Sequence, residues 1–253
     1  MAKSIPPVLA TAASKLFWTV PLGETLRLNV IGNGSNLARV EPRYDPATGN
    51  HSIAVVTNEI PPQFGLALGD IIHNMRSALD AAMSGIVKGD DADYDRRVNF
   101  PIAKDERYVR EYFSAKGKGS IVQKKNPSLA EFIANEIRPW ESENPDLYNL
   151  SRLDNLSKHN IVLFVFGKFR FSNFNYVTAE NSVFYGNVFV VGPGEDFPIG
   201  VSKSPIQFEV GEVSARLEIA PGQPFEGEEI FELLPRLGKM TQDVLNRLAA
   251  KFC

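Results

Sequence analysis

His73, Arg76 and Asp80 follow one another at steps of three and four residues. On an α-helix that spacing stacks them on one face, where neighbouring side chains touch. Asp70, Ser77 and Ser84 fall within about 120° of them at 100° per residue, and Asn74 adjoins His73. The residue types suit chemistry. An imidazole exchanges protons near neutral pH, and a guanidinium grips a carboxylate or phosphate with two parallel hydrogen bonds. Ordinary solvated helix faces are rich in Lys and Glu, yet neither occurs between Asp70 and Val87. Short carboxylates, a His and an Arg hold a fixed geometry at lower cost in side-chain entropy.

A second polar constellation lies at 145–159. Tyr148, Arg152, Asn155 and His159 share one side of a helix, and Asp154 and Lys158 form an i,i+4 pair in the favourable order. His159 falls in the last turn, where the negative end of the helix dipole favours the imidazolium. If the two helices pack together, His73, Arg76, Asp80, Asp154, Lys158 and His159 converge. The expectation is a site for an anionic ligand, a nucleotide or an RNA phosphate. His73, Arg76, Asp80 and His159 are its candidate catalytic groups, with Asp70, Asn74, Arg152, Asp154, Asn155 and Lys158 as candidate ligand contacts. The alternative is a non-catalytic interaction protein whose stripe is a buried ion-pair network, since structural networks use the same residue types.

Other chemistries lack their residues. Asp70, His73, Asp80 and His159 could offer metal ligands, but HExxH spacing is absent and Arg76 and Lys158 oppose a cation, so no metal is expected. Glycine loops of the Walker or Rossmann type are missing, as is a G-x-S-x-G elbow, so no nucleotide cofactor is expected. The single cysteine, Cys253, stands at the C-terminus and cannot form a disulfide within the chain.

These helices belong to an expected α+β fold, read as one domain over 1–253. A short helix is expected at 8–18 and a β-hairpin at 37–57, with the turn-forming DPATGN between its strands. The helical part spans 62–160, with helices at 63–87, 104–116, 127–138 and 145–159. Pro61 and Pro62 open the first of these, and Asn144 is placed to cap the last. From 161 to 226 the chain is rich in Val, Phe, Ile and Tyr with Gly, Pro and Asn between, the pattern of short antiparallel strands. Phe164, Phe166, Phe169 and Phe171 read as a hairpin about Gly167. An amphipathic helix at 227–252 closes the chain. Helices and strands segregate rather than alternate, which favours α+β over βαβ.

The composition is that of a globular protein: 253 residues, 43% hydrophobic and 23% charged. A net charge of −3 exerts no global pull on nucleic acid or an anionic membrane. No apolar run approaches the roughly 18 residues a membrane span needs, and a cytoplasmic location is expected. Charge is nevertheless uneven. Residues 96–125 hold nine basic against three acidic residues, and residues 195–232 hold nine acidic against two basic. The basic KGKGSIVQKK could contact phosphate or be a mobile solvated loop. The two regions could also meet within the fold or across a homo-oligomer.

Three short elements resemble a family of uncharacterised bacterial and phage-associated proteins. They are HNMRSALD at 73–80, FPI at 100–102 and LDNLSKH at 153–159. The family carries no assigned activity, so the resemblance implies position rather than function. The chain departs from the pattern at Ala81, where relatives carry a further His, and at Asn160, where they carry Arg. A second similarity is to HEPN ribonucleases, all-helical domains with an Arg, four to six residues and a His. Arg152 and His159 fit that spacing. It implies a metal-independent ribonuclease in which these two grip the phosphate and assist the 2′-hydroxyl across a dimer interface. The β-rich region is not part of that fold.

Overall fold

The computed structural model describes residues 6–89, 98–159, 165–177, 183–191, 196–210 and 212–253. After a 3-10 turn at Pro7–Leu9 come α1 (Ala10–Gly32), a short α2 (Gly34–Leu37) and the hairpin strands β1 (Ala38–Asp45) and β2 (Asn50–Thr57). Helix α3 (Pro62–Lys88) follows, then α4 (Glu106–Phe113), α5 (Ser120–Lys125), α6 (Pro127–Phe132) and α7 (Pro145–His159). Strands β3 (Val165–Val177), β4 (Val183–Val191), β5 (Asp196–Ser202), β6 (Gln207–Glu209) and β7 (Glu212–Ile219) lead to α8 (Ile230–Phe252). The fold is α+β, with antiparallel strands in two sheets.

Helix α3 is the spine. Leu68, Ile71, Ile72, Met75, Ala78, Leu79 and Ala82 are buried along it, the apolar face the 3.6-residue period requires. Helix α1 packs along it, and α7 and α8 also lie against it. Gly85 is where the N-terminal 3-10 turn meets α3: a Cβ there would stand 2.2 Å from the Val8 carbonyl oxygen.

Helix α1 runs well past the expected 8–18. Pro21 lies inside it, which costs the hydrogen bond to the Phe17 carbonyl. Pro21 is on the exposed side, where water can take that carbonyl. Ala12, Leu16, Thr19, Leu26 and Val30 bury the opposite side, and this tertiary gain carries the helix through the proline.

The hairpin forms as the turn residues predict, with Gly49 at φ 68°. It does not stand apart from the C-terminal strands, because β5 pairs with β2 to give the order β1-β2-β5. Pro198 falls at the register shift opposite Ile53 and Ala54 on this outer strand, where a missing N–H is tolerated. In the second sheet β3 is central, flanked by β4 on one edge and by β6 and β7 on the other. Gly167 is no turn. It lies within β3, where a Cβ would come within 2.9 Å of Ile60 Cδ1. Phe169 and Phe171 are core; Phe164 lies outside the described residues, as does the Phe166 side chain. Asn173, at φ 52°, sits at a shift in the β3–β4 register, so the SN dipeptide bends one long strand rather than separating two.

The KGKGS stretch is folded onto α4. Cβ atoms at Gly117 and Gly119 would stand 2.2 Å from the Tyr112 carbonyl oxygen and 2.1 Å from its ring, and Val122 beyond them is buried. Packing against Tyr112 thus accounts for both glycines.

Among the described residues, Thr241 Oγ1 on α8 is fully buried without a hydrogen-bond partner. Thr241→Val removes that penalty and should stabilise the protein by about 1 kcal/mol. Gly85→Ala should destabilise it by about 2 kcal/mol, because the backbone of Val8 must move. Urea midpoints at unchanged slope measure both.

Candidate functional site

The polar stripe of α3 divides into two groups with different partners. The first holds the extended segment that follows the helix. Arg76 is buried; it donates from Nη1 to Asp80 Oδ1 at 2.5 Å and from Nη2 to the Phe100 carbonyl at 2.8 Å. Asp80 Oδ1 accepts in turn from the Phe100 N–H at 2.7 Å. One turn further on, the Ser84 hydroxyl donates to the Val98 carbonyl at 2.9 Å and accepts from the Val98 N–H at 3.2 Å. Three side chains spaced i, i+4, i+8 thereby satisfy both backbone groups of Val98 and Phe100, as a neighbouring strand would. Past this clamp, Ala103 donates to the Pro139 carbonyl at 3.1 Å and pairs with Trp140.

The second group lies where α3 crosses α7. Gly69 admits Ser157 so closely that a Cβ would meet its Oγ at 2.4 Å. One turn along, His73 Nδ1 stands 2.9 Å from Asp154 Oδ1, and the other oxygen of Asp154 pairs with the Lys158 ammonium. A carboxylate only accepts hydrogen bonds, so Nδ1 carries the proton and Nε2 points away from Asp154. The Asp154 side chain is 2% exposed, against 49% for His73 and 45% for Lys158. A sunken carboxylate therefore orients two cation-capable groups whose side chains are about half exposed.

The partner of His73 is thus Asp154, 81 residues away, whereas the sequence placed it beside Asp70. Asp70 is exposed, and its carbonyl accepts from Asn74 Nδ2 at 2.9 Å. Arg152 and Asn155 are exposed on α7, and the Arg152 guanidinium lies 5.8 Å from the Tyr148 ring centre. The His159 backbone ends α7, but its side chain lies outside the described residues, so the Arg152–His159 pair has no described geometry. Asn144 Nδ2 donates back to the Ile137 and Arg138 carbonyls at 2.6 and 3.0 Å, fixing the turn before α7.

Sequence reasoning missed Arg236. It bridges Glu228 on the segment before α8 (2.6 Å) and Asp146 at the start of α7 (3.2 Å), and the hydrogen bond to Glu228 pushes its pKa up. The periodicity of α8 shows that Arg236 is polar-facing, but nothing in it names a partner before the helix or one as distant in sequence as Asp146. In the acidic stretch, Glu218 pairs with Lys168 and Arg216, and Glu232 with Arg216. These contacts neutralise part of its charge within the fold.

Among the described residues no group of three or more His, Cys, Asp or Glu side chains is placed to hold a metal ion, and no helix is long and apolar enough to cross a membrane. No family model, curated protein or solved structure matches the chain. The chemistry of the site therefore rests on its geometry.

Removing Arg76 strands the Phe100 carbonyl and leaves Asp80 without its counter-charge. Arg76→Ala should cost about 3 kcal/mol of stability. His73→Ala leaves Asp154 paired with Lys158 and should cost about 1 kcal/mol or less. Chemical denaturation of the two variants side by side tests this ordering.

Proposed function

We propose that the crossing of α3 and α7 binds an anionic, phosphate-bearing ligand, a nucleotide or an RNA phosphate. In this reading His73 and Lys158 are the contacts and Asp154 is the positioning carboxylate. The observation that carries it is the His73–Asp154–Lys158 arrangement: two groups able to carry positive charge, held by one buried carboxylate, with side chains about half exposed. A carboxylate on Nδ1 fixes the tautomer and ring orientation. The same arrangement suits proton transfer through Nε2 once a substrate lies against it. A charge-assisted contact from Lys158 would give phosphate affinity, and a hydrogen bond from a ligand hydroxyl to Nε2 would give orientation.

The stripe serves two purposes in this reading. Arg76, Asp80 and Ser84 are architecture, as the buried ion-pair alternative has it, because their hydrogen bonds go to Val98 and Phe100. His73 and Lys158 are the part left for a ligand. Asp70, nearly one turn before His73 on α3, and Asn74, adjoining it, border the ligand rather than touch the phosphate. A cytoplasmic location accords with a nucleotide or RNA ligand.

The test is a titration of fluorescent single-stranded RNA and of ATP against the purified protein, followed by anisotropy and competition. His73→Ala and Lys158→Ala should each weaken binding about tenfold, the equivalent of roughly 1.4 kcal/mol, with little change in melting temperature. RNA affinity should fall as salt rises. If both variants bind as wild type does, the site is not at this crossing. If Arg152→Ala removes an RNA-cleaving activity that His73→Ala leaves intact, the HEPN reading replaces this one.

A further inference from the structure

Among the described residues, nothing covers one apolar face of helix α1. At 100° per residue, Phe17, Val20, Glu24, Arg27, Leu28 and Ile31 fall within an arc of about 100°. Phe17 is 70% exposed, Val20 69%, Leu28 56% and Ile31 62%, while Trp18, 60% exposed, lies about 80° beyond Leu28 and outside this arc. An aromatic side chain offers about 150–250 Å² of surface. Allowing somewhat less for the aliphatic ones, the four on the face expose roughly 450 Å² of apolar area, over half of the ~800 Å² that each partner contributes to a standard interface. Beside this ridge runs a groove of about 1280 Å³ between α1 and α8, with Met75 of α3 among its lining residues. Its α1 wall includes Val20, Gly23, Glu24 and Arg27, so ridge and groove share one helix.

We propose that this face is a homodimer interface, in which α1 packs antiparallel against α1 of a second copy. Three observations select a second copy over other occupants. Residues 17, 20, 24, 27 and 31 alternate steps of three and four, the seam spacing of paired helices. A surface carrying both ridge and groove closes on itself about a two-fold axis. The third observation is charge. Glu24 and Arg27 sit in the middle of the ridge, pair with each other at 2.7 Å and are about half exposed. A lipid surface or an apolar ligand would desolvate the pair and offer it no further charged partner. An antiparallel copy whose axis passes between residues 25 and 26 sets each Glu24 opposite the partner's Arg27. The same axis sets each Val20 opposite the partner's Ile31, at the mouth of the groove. One register therefore matches both the charged and the apolar positions. It is independent of the site at the α3–α7 crossing.

The experiment is sedimentation velocity of the full chain over a dilution series. Wild type is expected to be a dimer that dissociates on dilution. A Cβ at Gly23 would meet nothing within 4 Å in its own chain, so Gly23→Leu should leave the circular dichroism unchanged while blocking the groove and yielding monomer. Arg27→Glu should weaken the dimer at least tenfold, and Glu24→Arg combined with Arg27→Glu should restore it. In a Cys253→Ser background, Val20→Cys and Ile31→Cys chains should cross-link to each other on mixing and only poorly to themselves. A chain that stays monomeric throughout overturns the proposal, whether or not it then coats lipid vesicles or retains an apolar small molecule in native mass spectrometry. A dimer indifferent to both Gly23→Leu and Arg27→Glu, or one that cross-links Val20→Cys to itself, overturns it equally.

Discussion

A buried guanidinium must find acceptors for its N–H groups, and much of the structure follows from where Arg76 finds them. It lies on the long central helix among Met75, Ala78 and Leu79, where an unpaired charge would cost several kcal/mol. Its acceptors are the Asp80 carboxylate one turn on and the carbonyl of Phe100. Asp80 then takes the Phe100 N–H, so the ion pair is closed by the backbone of a segment 20 residues further along the chain. The clamp turns Val98 and Phe100 into buried core. It also starts the extended run that pairs with Trp140 just before α7.

The position of α7 is what divides the polar stripe. Gly69 and Ser157 set a close approach between α3 and α7, and one turn along the crossing Asp154 is drawn beneath His73 and Lys158. Both oxygens of this carboxylate, so nearly excluded from water, are engaged, one by His73 and the other by Lys158. The three short elements at 73–80, 100–102 and 153–159 thus meet on α3: the first supplies Arg76 and Asp80 to the backbone of the second, and His73 to the Asp154 of the third.

Apolar pattern and exposure need not agree. Helix α1 buries one side in the core and leaves Phe17, Val20, Leu28 and Ile31 in water. The two apolar faces blur its amphipathic signal, and Pro21 with Gly23 adds a false stop. This is why a sequence reading ends the helix near residue 18. A helix that is apolar on two sides has two surfaces to cover, and the described residues cover only one of them.

Local rules made several features legible in the sequence. Among them are the α+β class, the hairpin about Pro46 and Gly49, the two polar helices and the Arg76–Asp80 and Asp154–Lys158 pairs, all spaced within four residues. Turn chemistry and i,i+4 geometry act over a few residues and need no knowledge of the rest of the chain. Tertiary structure alone decided that β5 completes the hairpin's sheet and that Gly167 lies within a strand under Ile60. It alone decided that Arg76 clamps Phe100 while His73 reaches Asp154. Those partners are separated by 20 to about 150 residues, and a side chain's type constrains only what it must satisfy. Which distant group satisfies it is set by how the helices and sheets pack.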